Sequence, residues 1–488
     1  MPDTDMRTDA GLDTGVVVVV GGGPVGVATA IMCARRGLGC VVLERATEVY
    51  DLPRAIVMDD EIQRALALAG ADVGSVTSPL KGAEFIDAAG TRIIGLDVPE
   101  GIDFPSGYLP VVRYYQPELE HHLRAVAAAA GVELRLGAEV VRVEQDAESV
   151  AAVCSDGTVV RGRWLVAADG AASPIRKSLG IAFVDQGFDQ DWLVVDVQLT
   201  GDDPGLPELV QQICDPARPS TYVPGHDRYR RWEFQLQPGE TREEMTRPER
   251  VWELLAPWLT PDHARMVRAV VYRFHATVAE RMRQGRIFLA GDAAHQTPPF
   301  LGQGLCAGIR DGANLSWKLQ MVATGAAGEQ LLDTYDVERR PHAAGLVAHA
   351  VDMGRLIDQL AGRGGGSDDL ENAYGGQRPF PHLTSGLLAG EHPFVGRQVM
   401  NPIVGGRRLD VAMGAGWAVV TADPSAIEGE VLDRWRSLGA EVVTTDALDA
   451  AAVYVVRPDR QVAAVAAGVE EFVDASRSLL TGMGLVFA

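Results

Sequence analysis

The sequence predicts an α/β fold built around a Rossmann-like dinucleotide unit, and three observations support this prediction. Five consecutive valines, Val16–Val20, are apolar on both pleat faces, as in the central strand of a parallel sheet. The motif Gly21–Gly26, with the spacing G-x-G-x-x-G, follows directly and opens a predicted helix over 25–36. A second apolar run, 40–43, ends in Glu44, about 20 residues beyond the glycines, where such units carry an acid.

Each part of this unit has a chemical reason. Glycines let backbone N–H groups approach a pyrophosphate, and the helix N-terminus supplies partial positive charge. Glu44 would accept a hydrogen bond from the adenosine ribose. The alternative is a glycine-rich turn between buried elements, which the ordered series of strand, glycines, helix, strand and acid disfavours.

Composition limits the partners and the compartment. A net charge of -22 disfavours nucleic acid and anionic membranes as partners, because both would be repelled. The five cysteines form no Cys-x-x-Cys pair, which disfavours a dithiol redox centre and a cysteine-based zinc site and is typical of a reducing compartment. The acidic N-terminus lacks a signal-peptide pattern, and no apolar run reaches the roughly 20 residues of a membrane span. We therefore expect a cytoplasmic protein.

Two later stretches repeat the pattern of a strand followed by an acid. The predicted strand 164–168 delivers Asp169, and Arg176 lies in the helix that follows. The predicted strand 287–290 delivers Asp292, whose carboxylate is placed to bind a ribityl hydroxyl beside a loop rich in proline and glycine. For both aspartates the alternative is a capped turn between a strand and a helix.

Between these stretches lies a predicted sheet with strands at 193–199, 230–237 and 270–276. Strand alternation places Arg231 and Glu233 on one face, with Arg230 and the aromatic residues on the other. Either arginine is a candidate for substrate or fold contacts, although a solvated edge strand is the favoured alternative. Arg54, which follows Pro53 near the dinucleotide end, is either a phosphate or flavin contact or an ordinary solvated arginine.

In order and spacing, the segments GGGPVG with Glu44, ADGAASPIR and GDAAHQTPPFLGQG resemble the three fingerprints of single-component (class A) FAD-dependent aromatic hydroxylases. The segments LPRAIVMDDE, GQGLCAGIRDGANLSWKL and LLDTYDVERRPHA resemble the 3-(3-hydroxyphenyl)propionate hydroxylase branch. The resemblance covers nearly the whole chain. It is specific for flavin binding and much less specific for the substrate.

The resemblance implies which residues contact the cofactors. Asp292 would bind the ribityl chain, and the loop around Gly302 would lie against the isoalloxazine. Asp169 and Arg176 are linked in the family to both FAD and NAD(P)H, and NADH or NADPH would visit without a domain of its own. The implied FAD contacts are Gly21, Gly23, Pro24, Val25, Gly26, Glu44, Arg45, Arg54, Gln116, Asp169, Arg176, Asp292, Pro299, Gly302, Gln303 and Gly304.

The resemblance also implies the domain organisation. The C-terminal part would be thioredoxin-like without a cysteine motif, with a structural role that includes homodimer contacts. The expected boundaries are 14–185 and 281–361 for the two parts of the FAD-binding domain, 186–280 for the substrate-binding sheet, 362–382 for a linker and 383–488 for the thioredoxin-like domain.

The implied activity is NAD(P)H-dependent hydroxylation of a phenolic aromatic substrate with O2 through a flavin C4a-hydroperoxide, assisted by a base. Some relatives carry a histidine at the position of Ile56, so their base does not transfer. Asp59 and Asp60 are nearby alternatives; we favour Asp59, which also suits a helix N-cap. Other candidate functions are an epoxidase or Baeyer–Villiger-type oxygenase tailoring a polyketide, and a non-catalytic carrier, which the retained segment PPFLGQG disfavours.

Overall fold

The computed structural model describes residues 16–362 and 381–485. The predicted linker, 362–382, lies almost wholly outside the described residues, as does the segment before residue 16. Among the helices of the described residues, none combines the length and apolar character that a membrane span requires.

The first part of the chain alternates short strands with helices. In chain order these are β1 (Val17–Val20), α1 (Pro24–Ala34), β2 (Cys40–Glu44), β3 (Val57–Asp59), α2 (Asp60–Leu68), β4 (Thr77–Pro79), β5 (Gly82–Asp87), β6 (Arg92–Asp97), β7 (Val111–Tyr114), α3 (Gln116–Ala129), β8 (Glu133–Leu136), β9 (Val140–Gln145), β10 (Val150–Cys154), β11 (Val159–Gly162), β12 (Trp164–Ala167) and α4 (Pro174–Ser178).

Longer strands and two long helices follow. The middle of the chain forms β13 (Phe183–Leu199), β14 (Val210–Cys214), β15 (Ser220–Pro224), β16 (Tyr229–Gln235), α5 (Arg242–Met245), α6 (Pro248–Leu255), β17 (Ala264–Ala279), β18 (Arg283–Gln284), β19 (Ile287–Leu289), β20 (His295–Gln296), α7 (Gly304–Ala323) and α8 (Thr334–Leu360). The C-terminal part forms β21 (Ile403–Val404), β22 (Arg407–Arg408), β23 (Ala418–Thr421), β24 (Glu441–Thr444), β25 (Val453–Val456) and β26 (Val462–Ala466), with helices Leu409–Met413, Glu430–Ser437 and Val469–Gly482.

The predicted parallel sheet is present. It has six strands in the order β18-β19-β12-β1-β2-β8, and only the β18–β19 pair is antiparallel. Every residue of β1 is buried, because β2 and β12 flank it and helices cover the sheet faces. The valine run is therefore the centre of the sheet, as predicted.

An eight-stranded sheet has the order β20-β17-β13-β16-β15-β14-β5-β6. β16 lies between β13 and β15, and Arg231 on it is only 5% exposed, so the expectation of a solvated edge strand is wrong. The reason is that local alternation does not reveal neighbouring strands. The hairpin β5–β6 also joins this sheet by parallel pairing with β14, a long-range contact that the sequence patterns did not predict.

The C-terminal part contains a mixed sheet in the order β24-β23-β25-β26, in which β23 is parallel to β24 and antiparallel to β25. Its helices pack into the same apolar core as the parallel sheet. The Trp317 and Trp417 rings, for example, meet edge to face with centroids 5.5 Å apart. The thioredoxin-like assignment and the domain boundaries stay predictions, with which this strand order is compatible.

Candidate active site

A cavity of about 620 Å³ opens at one edge of the parallel sheet. Its wall includes Gly23, Ala168 and Ala290, which lie within three residues of the carboxyl ends of the adjacent strands β1, β12 and β19. The carboxyl ends of strands are where open α/β sheets bind ligands. The opposite wall comes from β5, β14, β15 and β16 of the eight-stranded sheet. The cavity therefore joins the predicted nucleotide end to the predicted substrate sheet.

Most residues with an implied FAD contact reach this cavity, although the contacts themselves stay predictions. The residues that line it are Gly23, Pro24, Val25, Gly26, Arg54, Gln116, Asp292, Pro299, Gly302, Gln303 and Gly304. The residues that do not line it are Gly21, Glu44, Arg45, Asp169 and Arg176.

The three motif glycines differ in what surrounds them. A Cβ built on Gly21 would lie 2.2 Å from the Ala168 carbonyl oxygen, and one on Gly26 would lie 2.0 Å from the Gly21 carbonyl oxygen. These two glycines allow the close approach of backbone segments. A Cβ on Gly23, the N-cap of α1, would meet nothing within 4 Å. The open space at this helix N-terminus suits a pyrophosphate.

Glu44 is fixed beside the glycine loop. Its Oε2 accepts a hydrogen bond from the Gly22 backbone N–H at 2.6 Å, and its Oε1 accepts one from Ala46 at 2.8 Å. The carboxylate thus stays at the end of β2, next to the loop, where the ribose of a dinucleotide would lie.

Gln116 orders the loop that carries Arg54. Its Oε1 accepts hydrogen bonds from the backbone N–H groups of Arg54 at 3.1 Å and Ala55 at 2.7 Å, and its Nε2 donates to Glu120 at 2.7 Å. The Arg54 guanidinium lies 4.8 Å from the centre of the Tyr50 ring and has no carboxylate partner among the described residues. Its positive charge therefore faces the cavity, where it acts on the carboxylates of Glu120 and Asp292 from beyond ion-pair distance.

A buried acid positions Asp292. Asp311 on α7 accepts hydrogen bonds from the Gly291 N–H at 3.0 Å, from His295 at 2.8 Å and from Arg339 at 2.9 Å, which fixes the turn Gly291–Ala293. Within the described residues no donor reaches the Asp292 carboxylate, which is open to the cavity, and desolvation by the surrounding protein raises its pKa. An acceptor without a protein donor fits a hydroxylated chain such as the ribityl group of FAD.

Asp169 and Arg176 have structural partners. The Asp169 carboxylate accepts hydrogen bonds from Ser173 Oγ at 2.7 Å and from the Ile175 N–H at 3.2 Å. Arg176 donates to the Ile181 carbonyl at 2.7 Å and lies 3.7 Å from the centre of the Phe183 ring. The N-cap of α4 is Ser173, whose Oγ accepts from the Arg176 N–H, and Asp169 supports this cap. A cofactor contact at Asp169 or Arg176 stays a prediction.

Asp59 is the N-cap of α2 and lies outside the cavity lining. Its Oδ1 accepts from the Ile62 N–H at 3.1 Å, and its Oδ2 accepts from Gln303 at 3.1 Å and Arg310 at 2.6 Å. These contacts favour a role in holding Gln303 over the predicted role as the base. The neighbouring Asp60 does line the cavity, and burial and the adjacent Asp59 raise its pKa to about 6.

A chain of hydrogen bonds connects this cluster to the C-terminal part. Glu61 Oε2 accepts from Arg310 at 2.6 Å, while its Oε1 accepts from Gln398 at 3.0 Å and Gln461 at 3.2 Å. Arg310 also donates to Gln303 Oε1 at 2.9 Å. The loop predicted to face the flavin is therefore held from the C-terminal part of the chain.

The substrate half of the cavity was not assigned from the sequence, except that alternation put Glu233 on the face of Arg231. Glu233 is 7% exposed, and no donor reaches its carboxylate within the described residues. The nearest cation is Arg231, at 3.9 Å, and burial raises the pKa of Glu233. The apolar side chains that line this half include Ile56, Leu80, Phe85, Leu96, Val98, Val210, Val223, Phe300 and Met353.

Comparison with known proteins places these features in a family. The model of the FAD binding domain family matches residues 13–350. A "Probable NADH-specific resorcinol 4-hydroxylase" from Rhodococcus jostii is 35% identical over 85% of this chain and 80% of its own length. A 3-(3-hydroxy-phenyl)propionate/3-hydroxycinnamic acid hydroxylase from Burkholderia cenocepacia is 36% identical over 88% of this chain and 83% of its own.

Solved structures agree in fold. OxyS anhydrotetracycline hydroxylase from Streptomyces rimosus has a TM-score of 0.75 and 28% identity, covering 95% of this chain and 98% of its own. Aklavinone-11 hydroxylase, solved with FAD and aklavinone, has a TM-score of 0.79 over 97% of this chain and 100% of its own. At 24% identity the second likeness shows the fold alone.

Proposed function

Because this chain belongs to the FAD-dependent aromatic hydroxylases, we propose that it hydroxylates a phenolic substrate with O2 and NADH or NADPH. The balanced reaction converts an aryl C–H, O2, NAD(P)H and a proton to an aryl C–OH, NAD(P)+ and water. One observation carries the proposal: a single cavity connects the glycine loop and Asp292 to an apolar chamber under the eight-stranded sheet. The similarity to the probable NADH-specific hydroxylase from Rhodococcus jostii supports NADH as the hydride donor.

Bound FAD supplies the hydride acceptor and the oxygen-activating chemistry. The protein would hold it by the N-terminus of α1 at the pyrophosphate, by Glu44 at the ribose and by Asp292 at the ribityl chain. The loop 299–304, which begins with a turn of 3-10 helix at Pro299–Leu301, would lie against the ring system.

The chain's own residues shape and dry the substrate chamber. Its lining is mostly apolar, which excludes water from the reacting atoms and limits side reactions with water and protons. A base for the phenol must reach the chamber. Of the two aspartates considered from the sequence, only Asp60 lines the cavity.

The experiment is a screen of phenols for stimulation of NADH and NADPH oxidation by the FAD-loaded protein. We expect stimulation by at least one phenol and a product one oxygen atom heavier, with the label retained from 18O2. An epoxide or a lactone, identified by mass and NMR, would instead support the other oxygenase classes. Protein that stays colourless with added FAD would contradict the proposal and favour the carrier.

We also propose a cytoplasmic location and a homodimer formed through the C-terminal part. The acidic sequence and the free cysteines support the location. Exposed apolar side chains at Phe394, Ile403 and Val411 support the dimer surface. Light scattering of the purified protein tests the oligomeric state, and a monomer at micromolar concentration would contradict it.

A further inference from the structure

We propose that Glu233 makes this enzyme selective for neutral hydroxylated aromatics, because its carboxylate accepts a hydrogen bond from an aryl hydroxyl and repels substrates that carry a carboxylate. The inference rests on the proposed function and adds the chemical class of the substrate. It also distinguishes between the two kinds of phenol, neutral and acidic, that appear in the names of the relatives.

Glu233 lies on β16, an inner strand of the eight-stranded sheet. Its neighbours Trp232 and Phe234 point to the other face of the sheet, where they pack in an apolar cluster with α6. Glu233 therefore points into the cavity, whose wall it forms together with Gln212 and Thr221. These two side chains bond each other at 2.8 Å. Among the described residues, none donates a hydrogen bond to the Glu233 carboxylate on this wall.

The adjacent arginine does not serve as its partner. Arg231 donates to Asp196 on β13 at 2.8 and 3.2 Å, and to the backbone carbonyls of Arg54 at 2.6 Å and Pro53 at 3.3 Å. Asp196 also accepts from Arg268 on β17 at 2.9 Å. At 3.9 Å, Arg231 is too far from Glu233 for a hydrogen bond. A buried carboxylate in this state is stabilised when a ligand supplies a hydrogen-bond donor.

The charged residues of the cavity lining also favour a neutral substrate. The acidic residues of the lining are Asp60, Glu84, Asp97, Glu233 and Asp292, and its basic residues are Arg54 and Arg231. Glu84 and Asp97 pair with Arg92, which lies outside the lining. Arg54 lies at the nucleotide end, and Arg231 donates to Asp196, which it shares with Arg268, and to two backbone carbonyls. Among the described residues that line the substrate half, no cation is left to pair with a substrate carboxylate. A neutral phenol or diphenol avoids the repulsion and supplies the missing donor.

The test uses the FAD-loaded enzyme and two probes, resorcinol and 3-(3-hydroxyphenyl)propionate, titrated at neutral pH while the flavin absorbance is followed. We expect resorcinol to bind at least about 10-fold more tightly, from the repulsion that the second probe meets. Glu233→Leu is expected to weaken resorcinol binding about 10- to 100-fold, the worth of a hydrogen bond to a charged group. Glu233→Gln, which keeps an acceptor but loses the charge, should narrow the difference between the probes.

Glu243→Gln is the matched control, because Glu243 is exposed on α5 next to the same sheet. FAD content and circular dichroism report whether each variant is folded. Equal affinity for the two probes, or Glu233 variants that bind both as wild type does, would overturn the inference while the hydroxylase assignment stands. If no phenol stimulates NADH oxidation by the wild-type enzyme, the proposed function fails and the selectivity inference fails with it.

Discussion

Two buried glutamates of this molecule have opposite surroundings. Glu338 on α8 accepts hydrogen bonds from Asn314 and Lys318 at 2.7 Å, from the Leu387 N–H at 2.8 Å and from Arg457 at 2.9 Å. Burial alone would raise its pKa, but the positive charges of Arg457 and Lys318 hold the pKa below the ordinary value of 4.5. Glu233 receives no hydrogen bond from the part of the chain that the structure describes, and burial raises its pKa above the same value.

The difference separates two uses of a buried charge. Glu338 connects the FAD-binding part to the C-terminal part. Its partners come from both parts, so its buried charge is compensated only when the two parts are docked together. Glu233 is buried at a cost that the substrate-free protein does not recover, which is typical of a group kept for a ligand. Pairing, rather than burial, is therefore what separates structural from functional acids here.

The largest effect is expected from Glu338→Gln, which leaves the buried Lys318 without its carboxylate partner and leaves Arg457 with Asp459 alone. We expect a loss of about 3–5 kcal/mol in the free energy of unfolding, measured by urea titration with tryptophan fluorescence. The control is Glu329→Gln, whose side chain is 45% exposed and pairs with Arg163; its effect should stay below about 1 kcal/mol. Equal losses in both variants would remove the basis of the comparison.

Asp292→Ala tests whether an acid without a donor indicates a ligand at the other end of the cavity. We expect the Kd for FAD to rise about 10- to 100-fold, because the carboxylate contact with the cofactor is lost. Fluorescence of released FAD measures it, with the exposed Asp352→Ala as control. Normal FAD occupancy in the variant would contradict the assigned role.

The pH dependence of stability should have opposite signs for the two glutamates. The folded protein keeps the Glu233 proton more tightly than the unfolded chain, so this group's contribution to stability falls as the pH rises from 4.5 through its raised pKa. Glu338 stabilises the fold above 4.5 and loses that contribution as the pH falls through its lowered pKa.

The urea midpoint of the substrate-free holoenzyme, measured across this range, checks both signs. The stability of Glu233→Gln relative to wild type should increase most at neutral and higher pH. The stability of Glu338→Gln relative to wild type should decrease most in the same pH range. Parallel pH profiles for the two variants would show that their surroundings do not differ as described.

The smallest effect is expected from Gln461→Leu, which removes one of the two amide donors to Glu61. At 3.2 Å this bond is long, so we expect a contribution of about 1.5 kcal/mol, the low end for a hydrogen bond to a charged group, and a melting temperature lower by a few degrees. The FAD dissociation rate should still increase, because Arg310 connects Glu61 to Gln303. An unchanged dissociation rate would contradict the connection.

Local pattern predicted the nucleotide end of this protein well. The valine run is a central strand of the parallel sheet, and the glycine motif and the two later acids follow the ends of strands of the same sheet. These features could be predicted because each signal spans a few consecutive residues. The FAD-binding family and the α/β fold are confirmed. The N-cap alternative for Asp59 was also visible in the sequence, as an acid directly before a helix.

Long-range contacts account for what was missed. The pairing of β5 with β14 joins segments more than 100 residues apart, and no local periodicity encodes it. Glu338 reads as an ordinary helical glutamate until Arg457 and Lys318 are placed beside it. Glu233 was put on the correct face by alternation, but its missing donor depends on where Arg231 and Asp196 meet.

The hydrogen bonds from Gln398 and Gln461 through Glu61 and Arg310 to Gln303 bear on any attempt to shorten this protein. A truncation before residue 383 deletes both amides and leaves Glu61 to Arg310 alone. The guanidinium then divides differently between Glu61, Asp59 and Gln303, and the coenzyme would sit against an altered loop. A minimal catalyst cut from the first 360 residues would thus be a different flavoenzyme rather than a smaller copy of this one.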